Sequence, residues 1–475
     1  MGESQLWAGS RGEDVGAQAA WGVAACQKES VRMGTDDILF QPLKFRNLAV
    51  KNRIFRSNIS GRFDNYDGSG GYARINWEEK FARGGVGAIL SSYTPVNIRG
   101  RILPNYATID RDDRIPFWRE VGKRVHAHGC KFIMQLSHSG RQQDIGGVEN
   151  LFNRALSSTG KTESLNGFLC QAMTRAEIQQ TVRDFAAGAR RAREAGLDGV
   201  ELHGANGYLI TQFLSSAVND RSDEYGGPLE NRARFVLDII RGIRKEVGND
   251  FHLQLKTNAI DHANAVFFWE KKGNTLEESI QVCKWAEEAG ADALHISTGS
   301  SFPHPLNPPG GFPIDWAFRS YDAFLTSGIY TFARYLVLRY RPFRPIFSYF
   351  WNHAKGTVVE GINADAARAI KQQVRIPVLC TGGFQTASFI RRIIGEGYCD
   401  AVSIARSLVA NNDLVKQFAA GKDRPDRPCT YCNKCLVNAP KNPLGCYEVS
   451  RFDGDYDKMI AEVMSVFEPS PFAAN

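Results

Sequence analysis

The amino-acid sequence predicts an α/β protein whose main domain, residues 37–425, is a (β/α)8 TIM barrel. Two observations favour this fold class. Eight short apolar runs alternate with longer amphipathic stretches, and no Gly-x-Gly-x-x-Gly turn follows the first run. A doubly wound open sheet usually has fewer strands and carries such a turn after its first strand. The barrel is therefore preferred, preceded by a loose N-terminal extension (1–36) and followed by a short Cys-rich segment (426–475).

Each apolar run is about five to seven residues long, which is the size of one buried parallel strand. Such strands are covered on both faces, so they are rich in β-branched and apolar residues without strict alternation. The predicted strands are 53–58, 86–92, 131–137, 198–203, 252–257, 292–298, 376–381 and 399–404.

Two of the predicted helices, 174–195 and 275–289, carry complete start and end signals. Each opens with Thr and Glu at capping-box spacing and is followed by a glycine suited to a left-handed terminal position. These signals are Thr174, Glu177 and Gly196 for the first helix, and Thr275, Glu278 and Gly290 for the second. Weaker helical patterns cover 73–83, 114–128, 229–247, 362–374, 385–395 and 411–421.

Composition narrows the class of function. Lys and Arg outnumber Asp and Glu by 58 to 51, a net charge of +7. This mild excess is compatible with an anionic cofactor and is weak evidence for nucleic-acid binding. No run of about eighteen uncharged apolar residues predicts a spanning helix. The first residues lack a basic start followed by an apolar core, so we expect no secretory signal and a reducing, cytoplasmic compartment.

Polar residues follow nearly every predicted strand, where a barrel carries its chemistry. Gly382 and Gly383 come after the seventh strand, and Ala405 and Arg406 come after the eighth. Glycines let backbone N–H groups approach an anion, and the next helix start adds its dipole. These positions predict a phosphate site, against the alternative of tight turns beside a surface arginine.

Three chemically active residues follow the fourth strand within six positions: His203, Asn206 and Tyr208. A His and an Asn at a strand end can donate together to one carbonyl or nitro oxygen and polarise it. A Tyr two residues further on can deliver a proton to carbon. The alternative is a structural core histidine next to ordinary turn residues.

The stretch 203–227, together with motifs at 52–55, 135–141 and 381–384 and the Ala-Arg pair after the eighth strand, resembles the old yellow enzyme family of FMN-dependent ene-reductases. The resemblance covers about 37–425. It implies an FMN-binding barrel that takes hydride from NAD(P)H and passes it to an electron-poor alkene by ping-pong turnover.

The resemblance also implies roles for single residues. His203 and Asn206 would anchor the activating oxygen of the substrate, and Tyr208 would protonate the adjacent carbon. Gln135 would contact the flavin pyrimidine edge, and Lys256 would stabilise negative charge on the reduced flavin. The remaining implied flavin contacts are Ser60, which would tune the flavin's potential, and Gly382, Gly383, Ala405 and Arg406 around the phosphate.

Four cysteines crowd into the segment after the barrel: Cys429, Cys432, Cys435 and Cys446. Short spacings of this kind suit an iron–sulfur cluster or tetrahedral zinc, and free or structural thiols are the third interpretation. The segment resembles the cluster motif of the trimethylamine dehydrogenase and dienoyl-CoA reductase branch, which implies a [4Fe-4S] cluster.

A long insertion, residues 299–360, follows the sixth strand, where an ordinary loop has about two to six residues. Its middle, 329–351, is rich in aromatics and arginines and contains no acidic residue. Three hypotheses fit: a lid over the flavin, a surface that binds a membrane or a partner, or recognition of a phosphate-bearing substrate.

The function favoured by these residues is an FMN-dependent, NAD(P)H-consuming reductase of activated alkenes. One alternative is an amine dehydrogenase or demethylase that passes electrons through the cysteine site. Another, of a different class, is a non-catalytic barrel that binds a membrane or a partner through 329–351.

Overall fold

A closed ring of eight parallel strands forms the centre of the protein, in a computed structural model that describes residues 36–143, 154–163, 167–262, 273–299, 304–320 and 329–469. Hydrogen bonds link each strand to the next, and pairing of Val402 with Ile54 joins the last strand to the first. The ring strands are β1 (Ile54–Arg56), β2 (Ala88–Leu90), β3 (Lys131–Ser137), β4 (Gly199–Gly204), β5 (His252–Asn258), β6 (Ala293–Ser297), β7 (Val378–Thr381) and β8 (Ala401–Ile404). The predicted (β/α)8 barrel is confirmed.

Helices follow the strands and cover the outside of the ring. They are α1 (Tyr72–Arg83), α2 (Ile115–His126), α3 (Arg175–Glu194), α4 (Leu229–Val247), α5 (Leu276–Ala289), α6 (Ala364–Lys371), α7 (Ala387–Gly395) and α8 (Leu414–Ala419). Every predicted helix is present, and α4 has the predicted bounds at both ends.

Local end signals explain why α3 and α5 begin where they do. At the start of α3 the Thr174 hydroxyl accepts from the backbone N–H of Glu177, whose carboxylate accepts from the backbone of Thr174. The same reciprocal bonds start α5. Gly290 ends α5 at φ +114°, a conformation that costs glycine little and other residues more.

The first strand is shorter than predicted. Residues 53–58 were expected to be extended, whereas β1 ends at Arg56. Beyond that end, the side-chain Nδ2 of Asn58 donates to the carbonyl of Ser91 at 3.1 Å. A polar side chain that satisfies the neighbouring backbone competes with strand pairing, so the strand stops early.

The bottom of the ring is plugged by a short antiparallel hairpin, Leu43–Lys44 with Ala49–Val50. Its apolar side chains pack against inward-facing residues of the strands, among them Phe55 and Leu379. This plug leaves the opposite rim, at the carboxyl ends of the strands, as the place where loops and polar residues meet.

The described part of the insertion is helical: Ile314–Ser320, Ile329–Arg339 and Phe343–Ala354. The Cys-rich segment contains the helices Lys434–Asn438 and Tyr456–Met464, and its end returns to α1, where Asn76 Nδ2 donates to the Val466 carbonyl at 3.0 Å. Within the described ranges, no helix combines the length and apolar character that crossing a bilayer requires. The predicted extension 1–36 lies, except for its last residue, outside the described residues.

Candidate active site

His203 and Lys256 stand side by side at the rim, because β4 and β5 pair in a register that sets one opposite the other. Both side chains are buried. Burial, with the Lys256 charge, holds the pKa of His203 well below its usual value, so the imidazole is neutral at physiological pH. Lys256 Nζ donates to Asn58 Oδ1 at 2.9 Å, which fixes the ammonium at the mouth of the ring.

Tyr208 packs on the His203 imidazole with ring centroids 4.7 Å apart, and on Tyr93 at 5.1 Å. Burial raises the pKa of Tyr208 above the usual tyrosine range, so its hydroxyl keeps its proton at neutral pH. Ser60 borders the same cluster, because its Oγ accepts from the Tyr93 backbone N–H at 3.3 Å. The structure therefore brings three predicted site residues, Ser60, His203 and Tyr208, to one aromatic cluster.

Asn206 adopts a left-handed backbone conformation (φ +59°) just after β4. Its side-chain Oδ1 accepts from Nδ2 of Asn307 at 3.0 Å. Asn307 lies in the insertion, so the chain after β6 returns to the rim and orients this amide. With its oxygen occupied, the Asn206 amide keeps its own Nδ2 as a donor.

Gln135 lies opposite Glu201 in the pairing of β3 with β4, and its Nε2 donates to the Glu201 carboxylate at 2.9 Å. Gln254 also donates to this carboxylate, as does His295 Nδ1 at 2.8 Å. Burial alone would raise the pKa of Glu201, but contact with His295 and the Lys256 charge outweigh burial and lower it. An ionised carboxylate inside the ring thus holds the Gln135 amide in one orientation.

Gly382, Gly383, Ala405 and Arg406 lie at the ends of β7 and β8, as predicted. The Cys-rich segment contacts two of them, Gly383 and Arg406, and the Tyr431 hydroxyl donates to the Gly383 carbonyl. Arg406 Nη1 donates to Asn433 Oδ1 at 2.5 Å and to the Pro309 carbonyl at 2.7 Å. The proposed phosphate residues are therefore joined to the segment that carries the cysteines.

Flavin mononucleotide fits the donors and acceptors of this rim. Among the described residues, Gln135 Oε1, His203 Nδ1 and both side-chain polar atoms of Asn258 are buried without a hydrogen-bond partner. A buried polar atom left unpaired costs about 1–3 kcal/mol, so the rim favours a ligand that offers both donors and acceptors. A flavin pyrimidine edge is such a ligand, and Gly383, at φ +68°, allows the close backbone approach that a phosphate requires.

The four cysteines line one cavity, which they share with Arg406 and Arg451. Burial raises the pKa of the Cys429, Cys432 and Cys435 thiols. In the described part of the chain, no set of three or more His, Cys, Asp or Glu side chains is arranged to hold a metal ion. The metal site at Cys429, Cys432, Cys435 and Cys446 stays a prediction, and we derive no chemical step from it.

The sequence assigned no role to several residues of this neighbourhood, among them Tyr93, Glu201, Asn307 and Tyr431. Glu201 had a signal in the sequence, since it is an acid in the middle of an apolar strand, two residues before His203 and therefore on the same strand face. Asn307 and Tyr431 had none, because they reach the rim from segments that are distant in the chain.

A family model described as the NADH:flavin oxidoreductase / NADH oxidase family matches residues 38–310, more than half of the chain. An NADH oxidase of Thermoanaerobacter brockii is 32% identical over 86% of this chain and 57% of its own length. A cinnamate reductase of Clostridium sporogenes is 28% identical over 85% of this chain and 56% of its own length. A multifunctional alkene reductase/demethylase of Caballeronia cordobensis is 27% identical over 86% of this chain and 53% of its own length. The chain thus spans little more than half the length of these relatives.

Two solved structures share the fold. A 2-naphthoyl-CoA reductase complex superposes with a TM-score of 0.70 at 24% identity, covering 88% of this chain and 58% of its own. Morphinone reductase in complex with tetrahydroNAD superposes with a TM-score of 0.61 at 22% identity, covering 83% of this chain and 93% of its own.

Proposed function

The chain belongs to the NADH:flavin oxidoreductase / NADH oxidase family, and from that premise we propose that it is an FMN-dependent oxidoreductase in which NAD(P)H reduces an activated alkene. The observation that carries the proposal is the group of His203, Tyr208 and Lys256 at the rim: a neutral imidazole, a protonated phenol and a buried cation. The imidazole contacts the phenol ring, and His203 lies opposite Lys256 on the neighbouring strand. Relatives named for cinnamate reduction and alkene reduction support the same reaction class.

When bound, FMN supplies the hydride transfer. The residues that would hold it are Ser60, Gln135, Lys256, Gly382, Gly383, Ala405 and Arg406. Glu201 keeps the Gln135 amide from rotating, and Asn58 keeps Lys256 at the rim. Because these supports are hydrogen bonds within the protein, the contact atoms are oriented before any ligand arrives.

Two donors bind the activating oxygen of the substrate. His203 is neutral and so offers an N–H without a net charge of its own, and Asn206 offers Nδ2 because Asn307 occupies its oxygen. Together they withdraw electron density from the double bond, which prepares the β-carbon to accept hydride.

Tyr208 supplies the proton. Its hydroxyl is protonated at neutral pH, and its ring is held between His203 and Tyr93. Hydride at the β-carbon and this proton at the α-carbon convert the C=C bond into two C–H bonds, and the tyrosinate recovers its proton from solvent.

The test is Tyr208→Phe, with Tyr106→Phe as the matched control. Tyr106 is a buried ring of the same aromatic cluster, and it packs on Tyr93. We expect Tyr208→Phe to slow alkene reduction at least about 100-fold, while the rate at which NAD(P)H reduces the flavin is unchanged. Anaerobic stopped-flow absorbance measures the two half-reactions separately. Equal slowing of both, or of neither, would show that Tyr208 is not the proton donor.

A second candidate function is oxidation of an amine, for which the cysteine site would have to hold a metal carrier of electrons. The observation that favours it is the packing of the Cys-rich segment on Gly383 and Arg406, beside the proposed phosphate site. Iron and acid-labile sulfide analysis of the purified protein separates the two candidates, because this route requires a metal carrier. The non-catalytic alternative predicts a colourless protein, which an absorbance spectrum with added FMN checks.

A further inference from the structure

Two helices of the insertion, Ile329–Arg339 and Phe343–Ala354, form a surface hairpin that contains none of the candidate active-site residues. We call it the aromatic hairpin. Its helices have 11 and 12 residues.

One side of the aromatic hairpin is firmly attached to the protein. Trp351 is 6% exposed, its Nε1 donates to the Gly310 carbonyl at 3.1 Å, and its ring lies 4.8 Å from that of Phe312. Arg344 pairs with Asp315 at 2.6 Å. These contacts hold the hairpin in a fixed orientation, with its other side facing solvent.

The outward side is unusually apolar. Sixteen large hydrophobic side chains are exposed in the described ranges, and nine of them lie between residues 330 and 350. On the second helix, Phe343, Ile346, Tyr349 and Phe350 are 50–68% exposed and recur at intervals of three and four residues, so they form one stripe. Soluble proteins rarely expose a patch of this kind unless it binds something.

The charge of the aromatic hairpin has a single sign. No Asp or Glu occurs between residues 329 and 359. Arg339 and Arg341 are exposed at the turn between the helices, where they flank Tyr340 and precede Phe343. The ligand of this surface must therefore accept aromatic rings and carry negative charge.

We propose that the aromatic hairpin is a docking surface for an anionic lipid bilayer. Tyr and Phe rings beside arginines suit the interfacial region, where rings enter the boundary of the acyl chains and guanidinium groups meet anionic headgroups. Helices of 11 and 12 residues lie in this plane, because spanning the hydrocarbon core takes about 20 residues. This surface does not depend on which reaction the barrel catalyses.

Vesicle flotation of the full chain tests the proposal. We expect binding to phosphatidylcholine vesicles that contain about one-third phosphatidylserine, and much weaker binding to phosphatidylcholine alone. Binding should weaken at high salt, because screening reduces the attraction between arginines and headgroups.

Variants identify the surface responsible. The double variant Tyr349→Ser/Phe350→Ser should lower the partition coefficient at least about tenfold. Arg341→Gln should lower it about fivefold on anionic vesicles only. Tyr66→Ser is the matched control, because Tyr66 is 65% exposed elsewhere on the surface, and its binding should equal that of the wild type. Urea denaturation checks that each variant is folded.

A fluorescent substitution adds an independent measurement. The tryptophan of Phe350→Trp should shift its emission to the blue on anionic vesicles and be quenched by brominated acyl chains. Failure of the full chain to float with anionic vesicles would overturn the proposal, as would flotation of Tyr349→Ser/Phe350→Ser at the wild-type level. Purification of a protein partner that binds these residues, without any vesicle binding, would assign the surface to that partner instead.

Discussion

Glu201→Gln removes the charge of a buried carboxylate that three side chains inside the ring share. The Glu201 carboxylate is fully buried and accepts from three side chains, Gln135, Gln254 and His295. A glutamine at this position keeps the shape but offers one oxygen and an N–H2 group. At least one of the three donors then faces another donor and loses its partner.

The expected cost follows from these bonds. A hydrogen bond to a charged group contributes about 1.5–3 kcal/mol, and a buried donor left unpaired costs about 1–3 kcal/mol. The two effects overlap, and we expect Glu201→Gln to lower the free energy of unfolding by about 3 kcal/mol. Because Gln135 then loses its fixed orientation, flavin binding should weaken as well, by about tenfold.

Urea denaturation followed by circular dichroism measures the first effect, and fluorescence titration with FMN measures the second. Glu396→Gln is the control, since Glu396 is exposed at the end of α7 and its replacement should leave both quantities nearly unchanged. Wild-type stability in Glu201→Gln would refute the argument that an ionised carboxylate organises the ring interior. Loss of stability with unchanged flavin affinity would refute only the argument that the orientation of Gln135 affects flavin binding.

Three further perturbations have defined outcomes. Burial, with the Arg99 charge, lowers the pKa of His138 to about 3, against about 6.5 in an unfolded chain. The stability that the neutral imidazole contributes is therefore complete above about pH 6.5 and decreases as the pH falls. Between about pH 7 and pH 5, the free energy of unfolding of His138→Asn, measured by urea titration, should fall by about 2 kcal/mol less than that of the wild type. Equal falls in the two proteins would contradict this. Asn307→Ala removes the donor to Asn206 and should raise KM for the proposed alkene substrate about threefold to tenfold with a smaller change in kcat, whereas unchanged kinetics would show that the contact is dispensable. Thr174→Ala removes the cap of α3 and should cost about 1 kcal/mol of unfolding free energy without affecting turnover; a change in turnover would mean that α3 also acts on the rim.

Much of the candidate site could be proposed from the sequence because the barrel converts positions along the chain into positions in space. Every strand delivers its last residues to the same rim, so His203, Tyr208 and Lys256 were recognisable as neighbours once eight strands had been counted. The order of the strands then decided that Lys256 lies beside His203.

The supports of those residues could not be predicted in this way. Asn307 reaches Asn206 across 101 residues of sequence, and Tyr431 reaches Gly383 across 48. The insertion and the Cys-rich segment have no repeating pattern that states where they will pack. The sequence likewise contains an aromatic, basic stretch at 329–351. It does not indicate which of the rings are buried, like Trp351, and which face solvent, like Phe350.

By itself the sequence determined the eight strands, the helices between them and the caps that start α3 and α5. These depend on side-chain periodicity and on hydrogen bonds within a few residues, so the information is local. Only the tertiary structure decided the partners of Glu201, the orientation of Asn206, the packing of the Cys-rich segment on Gly383 and the exposed stripe of the aromatic hairpin. Those features arise from contacts between segments brought together by closure of the ring, and no local pattern of residues encodes them.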